Sequence, residues 1–182
     1  MRKVLILTGP PGAGKNTIAQ ELAKRLKQCA IIDVDLVRWM VVQPHRAPWD
    51  GREGKRQQML GVRNACILAA SFDENNFTVI ILDVLSQMTK REYEIQLKRF
   101  KPHVVKLLPT YNETVRRNRG RQPRLRMREI KMLYEQQMRL ICPRVIDNTR
   151  LSVRETVEKI LTVKGYPSSG IKSLNVDRQI MI

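Results

Sequence analysis

The chain has 182 residues, of which 42% are hydrophobic, enough for one domain of ordinary size with its own core and no need of a second. The apolar stretch after Arg2-Lys3 is too short for a signal peptide, and no stretch is long enough to span a bilayer. A net charge of +17 predicts attraction for anions in general, whether ATP, a phosphorylated or acidic substrate, or nucleic acid; aromatic residues at 5%, none interleaved with the basic runs, do not favour a single-strand nucleic-acid binder.

In chain order, residues 4 to 17 read VLILTGPPGAGKNT, an apolar strand running into a glycine-rich loop. The pattern is G-x-x-x-x-G-K followed by Ser or Thr, with Gly9, Gly14 and Lys15 in place and Asn16 as the departure. Glycines admit φ > 0 and leave no Cβ in the way, so the loop amides can turn toward phosphate oxygens. Gly9, Pro11, Gly12, Ala13, Gly14, Lys15, Asn16 and Thr17 are therefore expected to form a triphosphate site, with Lys15 reaching the β- and γ-phosphates. A helix follows, its face marked by Ile18, Ala19, Leu22, Ala23 and Leu26.

Ala30-Ile31-Ile32-Asp33 predicts a short buried strand, and alternation would then place Asp33 and Asp35 on one side. Asp35 is alternatively the cap of a helix starting near Leu36, and Arg38, one turn on, could grip an anionic substrate beside it. The Pro- and Gly-containing segment 44 to 51 predicts a loop, part of a substrate loop at about 38–52. His45 could contact the acceptor there, or have no role; Trp49 beside Pro48 could form an apolar wall, core packing being the simpler reading. Residues 53 to 72 predict a helix with an apolar stripe at Met59, Val62, Cys66 and Ala69.

Phe77 to Asp83, FTVIILD, is the next strand, and Asp83 at its end is placed to hold magnesium, a turn or cap aspartate being the plainer alternative. Thr89-x-x-Glu92, Thr110-x-x-Glu113 and Ser152-x-x-Glu155 mark helix starts. Val104 to Leu108 and Val145-Ile146-Asp147 complete the strands. A helix at 126 to 141 carries a stripe through Ile130, Leu133, Tyr134, Met138 and Ile141. Between the last two, residues 116 to 126 are dense in arginine and form a candidate lid, from which one or two of Arg117, Arg121 and Arg124 are expected to touch nucleotide. Cys29, Cys66 and Cys142 lack metal-ligand spacing and predict buried free thiols in a reducing, cytoplasmic setting. Strands alternating with helices predict an α/β fold: three layers, a parallel sheet of about five strands with helices on both faces, over residues 1–163, with an extension at 164–182.

On GPPGAGK, Asp33-Val34-Asp35, LLPTYNETVRRNRGR and VIDNT, the chain resembles the small P-loop kinases of the shikimate kinase, gluconate kinase and chloramphenicol phosphotransferase type over roughly residues 3 to 162. The resemblance implies an ATP- and Mg2+-dependent phosphotransferase acting on a small hydroxyl-bearing substrate, as a monomer or homodimer. It assigns catalysis to Lys15, Asp35, Arg117 and Arg121, substrate contacts to Asp35, Arg38 and Asp83, metal to Asn16, Asp33 and Asp83, and the adenine end to Asn148 and Thr149. The Asp35-x-x-Arg38 spacing is also similar to that of polynucleotide 5′-hydroxyl kinases. Asn16, where a Ser or Thr hydroxyl would meet magnesium, opens a third reading: a nucleotide-binding module with weak or no catalysis.

Overall fold

The computed structural model describes residues 4–120 and 125–162. Five strands, β1 (Val4–Thr8), β2 (Cys29–Asp33), β3 (Thr78–Leu82), β4 (His103–Leu107) and β5 (Val145–Ile146), form one sheet in the order β2-β3-β1-β4-β5, all parallel. The helices are α1 (Lys15–Lys24), α2 (Val34–Trp39), α3 (Gly51–Glu74), α4 (Gln87–Gln96), α5 (Tyr111–Arg119), α6 (Met127–Arg139) and α7 (Val153–Leu161), with a 3-10 turn at Lys98–Phe100. This is the expected α/β architecture with helices on both faces. The extension at 164–182 lies outside the described residues.

Alternation along β1 sorts the core into two layers. Val4 and Ile6 join Val62, Ala65 and Ala69 of α3 with Tyr93 of α4; Leu5 and Leu7 join Ile18, Ala19 and Leu22 of α1 with Val157 and Ile160 of α7. A central strand buried on both faces explains why VLILT reads as a continuous apolar run.

Several local expectations change. β2 ends at Asp33 and α2 begins at Val34, so strand alternation does not relate Asp33 to Asp35, and Asp33, not Asp35, caps α2 by accepting the Asp35 N–H at 3.1 Å. Helix α4 starts three residues before its expected signal: Ser86 is the cap and Thr89 the third residue of a capping box, while Glu92 pairs instead with Arg63 at 2.8 Å. The stripe of α6 is completed by buried Gln137, with Met138 and Ile141 exposed. Trp49 is exposed rather than in the core, and of the three free cysteines only Cys66 is fully buried. Ser152 and Glu155 do form the expected box, whereas Thr110 caps α5 while the Glu113 carboxylate turns to Arg116 and Arg117.

The replacement of Met138 by Gln137 has a cause. Gln137 accepts from the Thr8 hydroxyl at 3.1 Å and donates to the Leu85 carbonyl at 2.7 Å; the same hydroxyl accepts the Leu85 N–H. Buried Lys106 of β4 donates to the carbonyls of Gln137 and Leu140 at 2.8 and 2.7 Å, closing the end of α6 with a positive charge where the helix dipole is negative. Every member of this network has a partner, which makes a buried polar layer tolerable. It ties α6 to the ends of β1 and β3, beneath the glycine-rich loop.

Candidate functional site

The loop between β1 and α1 opens at the carboxyl ends of the strands, beside the point where the chain order reverses across β1, a common ligand position in open α/β sheets. Gly9 passes so close to β4 that a Cβ would lie 2.3 Å from the Leu107 carbonyl oxygen. Gly12 and Gly14 take φ of 86° and 90°, which bends the loop round the start of α1. Gly14 caps α1 without any side-chain bond, and the first turn carries no acid, so the helix presents amides and positive dipole to the loop. Lys15 Nζ donates to the Gly9 carbonyl at 2.9 Å and to that of Pro10 at 3.4 Å, arching back over the loop. Pro11 and Ala13 are buried beneath it, and Thr17 is exposed.

Asn16 donates its amide to Asp33 Oδ2 at 2.9 Å, while Asp33 Oδ1 receives the Asp35 N–H. The phosphate loop is thereby joined through Asp33 to α2. Asp35 is exposed in the first turn of α2, with Arg38 Nη1 3.4 Å from its Oδ1. Arg38 is buried and its Nη2 donates to the Arg46 carbonyl at 2.9 Å, anchoring the substrate loop. Two glycines of α3 admit these groups. A Cβ on Gly61 would sit 2.4 Å from Arg38 Cγ, and one on Gly54 would sit 2.0 Å from the Ala47 carbonyl oxygen. Gln57 between them bonds Pro44 O at 2.6 Å and the Arg46 N–H at 2.9 Å.

Asp83 follows β3 directly. Its carboxylate accepts the Val84 N–H at 2.7 Å and the Tyr93 hydroxyl at 3.1 Å. Burial pushes its pKa up to about 6, and the charge of Asp35 adds to the rise against the pull of those two donors and of Lys15. Asp83 thus lies within the fields of Asp35 and Lys15. Tyr93 is held well above the usual phenol range, first by burial and then by Asp83.

On the opposite side, Arg117 of α5 donates to Glu113 at 2.6 Å and to the Asn148 carbonyl at 3.0 Å, and its Nη1 lies 4.0 Å from where a Gly14 Cβ would be. Glu113 is drawn down to about 2, chiefly by Arg116 and then by Arg117. Asn148 donates to the Ala13 carbonyl at 2.9 Å; its buried Oδ1 has no hydrogen-bond partner. Thr149 accepts the Thr110 N–H at 2.8 Å and donates to Asp147 at 2.5 Å, which fixes the turn beyond β5. Arg121 and Arg124 lie outside the described residues.

The structure therefore brings Lys15, Asn16, Asp33, Asp35 and Asp83 together on one side of the loop and Arg117 and Asn148 on the other. Sequence reasoning missed Tyr93, Gln57, Lys106, Gln137 and the two α3 glycines. A glycine inside a helical pattern was the available signal for Gly54 and Gly61. A lysine inside the apolar run HVVKLL was the signal for Lys106. Among the described residues no group of three or more His, Cys, Asp or Glu side chains is placed to hold a metal, and no helix is long and apolar enough to cross a membrane.

Residues 5–155 match a family described as an AAA domain. No curated protein matches with significant sequence similarity. Among solved structures, a sugar kinase from Janibacter sp. HTCC2649 superposes with a TM-score of 0.69 at 15% identity, covering 89% of this chain and 94% of that one. A tunicamycin resistance protein from Deinococcus radiodurans gives 0.64 at 18% identity, covering 92% and 98%. A gluconokinase from Sinorhizobium meliloti 1021 gives 0.62 at 14% identity, covering 88% and 90%. At these identities the likeness is one of fold.

Proposed function

Because the chain belongs to the AAA domain family, and to its P-loop kinase type, we propose that it transfers the γ-phosphoryl group of ATP to a hydroxyl of a small-molecule acceptor. The observation that carries this reading is the convergence of Lys15, Asp83 and exposed Asp35 at the mouth of the glycine loop. In it, Lys15 and the loop amides hold the donor phosphates, and Arg117 and Asn148 brace the loop from behind. Asp35, open to solvent at the start of α2, takes the acceptor proton as the acceptor oxygen bonds to the γ-phosphorus and the bond to the β-phosphate oxygen breaks, leaving ADP. Arg38 keeps Asp35 in place from the buried side and fixes the substrate loop through Arg46.

Magnesium fits the donors present. It usually takes one or two carboxylates with water and substrate phosphates, so a cluster of three acids is not required. Asp83 is an enclosed carboxylate whose ionised form is opposed by burial and by Asp35, an environment a divalent cation relieves. Asp83, Asp33 and the amide oxygen of Asn16 are the groups that would hold it, and it would neutralise charge on the donor phosphates. Asn16 then acts as a strut as well: its amide nitrogen reaches Asp33, a bond that the shorter Ser side chain is ill placed to make. This favours a working site over a mere nucleotide holder. Burial of Arg38 also removes support for the polynucleotide kinase reading, since its guanidinium is committed to Asp35 and Arg46.

The test is transfer of labelled γ-phosphate across a panel of hydroxyl acceptors, with Lys15→Met as control. Transfer that depends on Lys15 supports the reading; ATP binding without transfer to any acceptor contradicts it.

A further inference from the structure

Residues 35 to 50 bury the Arg38 side chain and expose several large apolar ones. Arg38 is bonded to Asp35 and the Arg46 carbonyl, exposed Asp50 accepts the Ala47 N–H at 3.0 Å, and the ring of His45 lies against the Val41 carbonyl at 3.2 Å. Buried Gln57 of α3 uses its amide on the same loop. The large apolar side chains point outward instead, with Leu36, Trp39, Met40, Val42 and Trp49 all exposed, Trp39 at 62% and Val42 at 83%. A run of exposed large apolar groups is the kind of patch that marks a binding surface.

Its position names the ligand. Trp39 lies four residues after Asp35, so the two share one face of α2, a single turn apart. Trp39 stacks on His45 with ring centroids 4.1 Å apart and planes 9° from parallel, which covers one face of the indole and leaves the other open. Resting on the assignment of Asp35 as the group that takes the acceptor proton, we propose that the acceptor is a hydroxyl compound with a planar aromatic body, which stacks on Trp39 and presents its hydroxyl to Asp35. A polyol would need several converging polar side chains, whereas the side chains that flank Trp39 and face outward, Leu36, Met40 and Val42, are apolar. An offset stack on the open indole face and contact with Leu36 and Met40 supply what such a body needs.

Trp39 and Trp49 are the chain's only two tryptophans, so intrinsic fluorescence reports on this segment alone. The whole chain with ADP is titrated with phenylethylene glycol and, as the matched compound without a ring, ethylene glycol; labelled transfer is then measured over aromatic alcohols and polyols. The expected result is saturable change with the phenyl diol only, weakened about threefold to tenfold in Trp39→Ala, and transfer to aromatic alcohols with KM raised more than kcat is lowered in that variant. No response to the phenyl diol overturns the proposal, as does efficient transfer to polyols that ignores Trp39→Ala; the latter leaves the kinase reading standing. Saturable phenyl-diol binding with no transfer to any acceptor supports the aromatic site and overturns the kinase reading. Burial of the patch against a second copy, seen as a dimer that Trp39→Ala dissociates, also overturns it.

Discussion

Gly54→Ala puts the geometry of the substrate loop to a test of sign. At an open position inside a helix, alanine stabilises by about 1 kcal/mol over glycine. Here the added Cβ would lie 2.0 Å from the Ala47 carbonyl oxygen and 3.1 Å from its carbon. A carbon approaches a carbonyl oxygen to about 3.3 Å, so the gap must widen by roughly 1.3 Å. The obstacle is backbone, and no side-chain rotation relieves it. The displaced loop also loses the two bonds from Gln57 to Pro44 and Arg46, worth about 1 kcal/mol each, on top of overpacking of about 1–3 kcal/mol. Against the helical gain the net is a loss of about 2–4 kcal/mol, and at roughly 2–4 °C per kcal/mol for a domain of this size Tm falls by about 4–16 °C. Thermal unfolding followed by circular dichroism measures it, and acceptor KM should rise while ATP affinity holds. A variant more stable than the parent would refute the packing argument, since only an open helix surface gives that sign.

Asn16→Ser, which restores the usual loop residue, should lower turnover by about tenfold or more, because it severs the bond to Asp33 that joins the loop to α2; a gain in a steady-state assay would show that Asn16 is a defect. Asp83→Asn should abolish transfer yet stabilise the ligand-free protein at neutral pH. The pKa of Asp83 rises from 3.8 to about 6 on folding, so its favourable contribution is full below the unfolded value and is lost as pH climbs through the folded one. That loss is about 3 kcal/mol by pH 7, and melting curves of parent and variant should converge near pH 4, draw apart between about pH 4 and pH 6, and keep a constant separation above that. Parallel curves at all pH values would contradict the assignment. Lys106→Met should destabilise by about 2–4 kcal/mol by orphaning the buried carbonyls of Gln137 and Leu140, read by urea unfolding; an unchanged midpoint would show the network to be dispensable.

Much of this was legible because the signals are local. Continuous apolar runs gave the central strands, since β1 is buried on both faces. The glycine loop announced itself by residue types that only its backbone needs. What was not legible depends on groups far apart in the chain. Gln137 looks like a surface position beside Met138 until Thr8 and Leu85 are brought under it. Asp33 and Asp35 look like a strand pair until Asp33 turns the chain into α2 and takes up Asn16 as well. Arg38 reads as a substrate grip from spacing alone, and only the missing side chain of Gly61 shows that it packs inward. Trp49 reads as core because a tryptophan is more often buried, and its exposure with Trp39 is the fact that speaks to the acceptor.

The central claim is that Asp35 serves the transfer and not the donor. Single-turnover transfer of labelled γ-phosphate to the best acceptor, measured with ATP affinity for the parent and Asp35→Ala, tests it most directly. The account predicts a fall in rate of about a hundredfold or more, with ATP binding within about twofold; equal losses in both, or none in either, would contradict it.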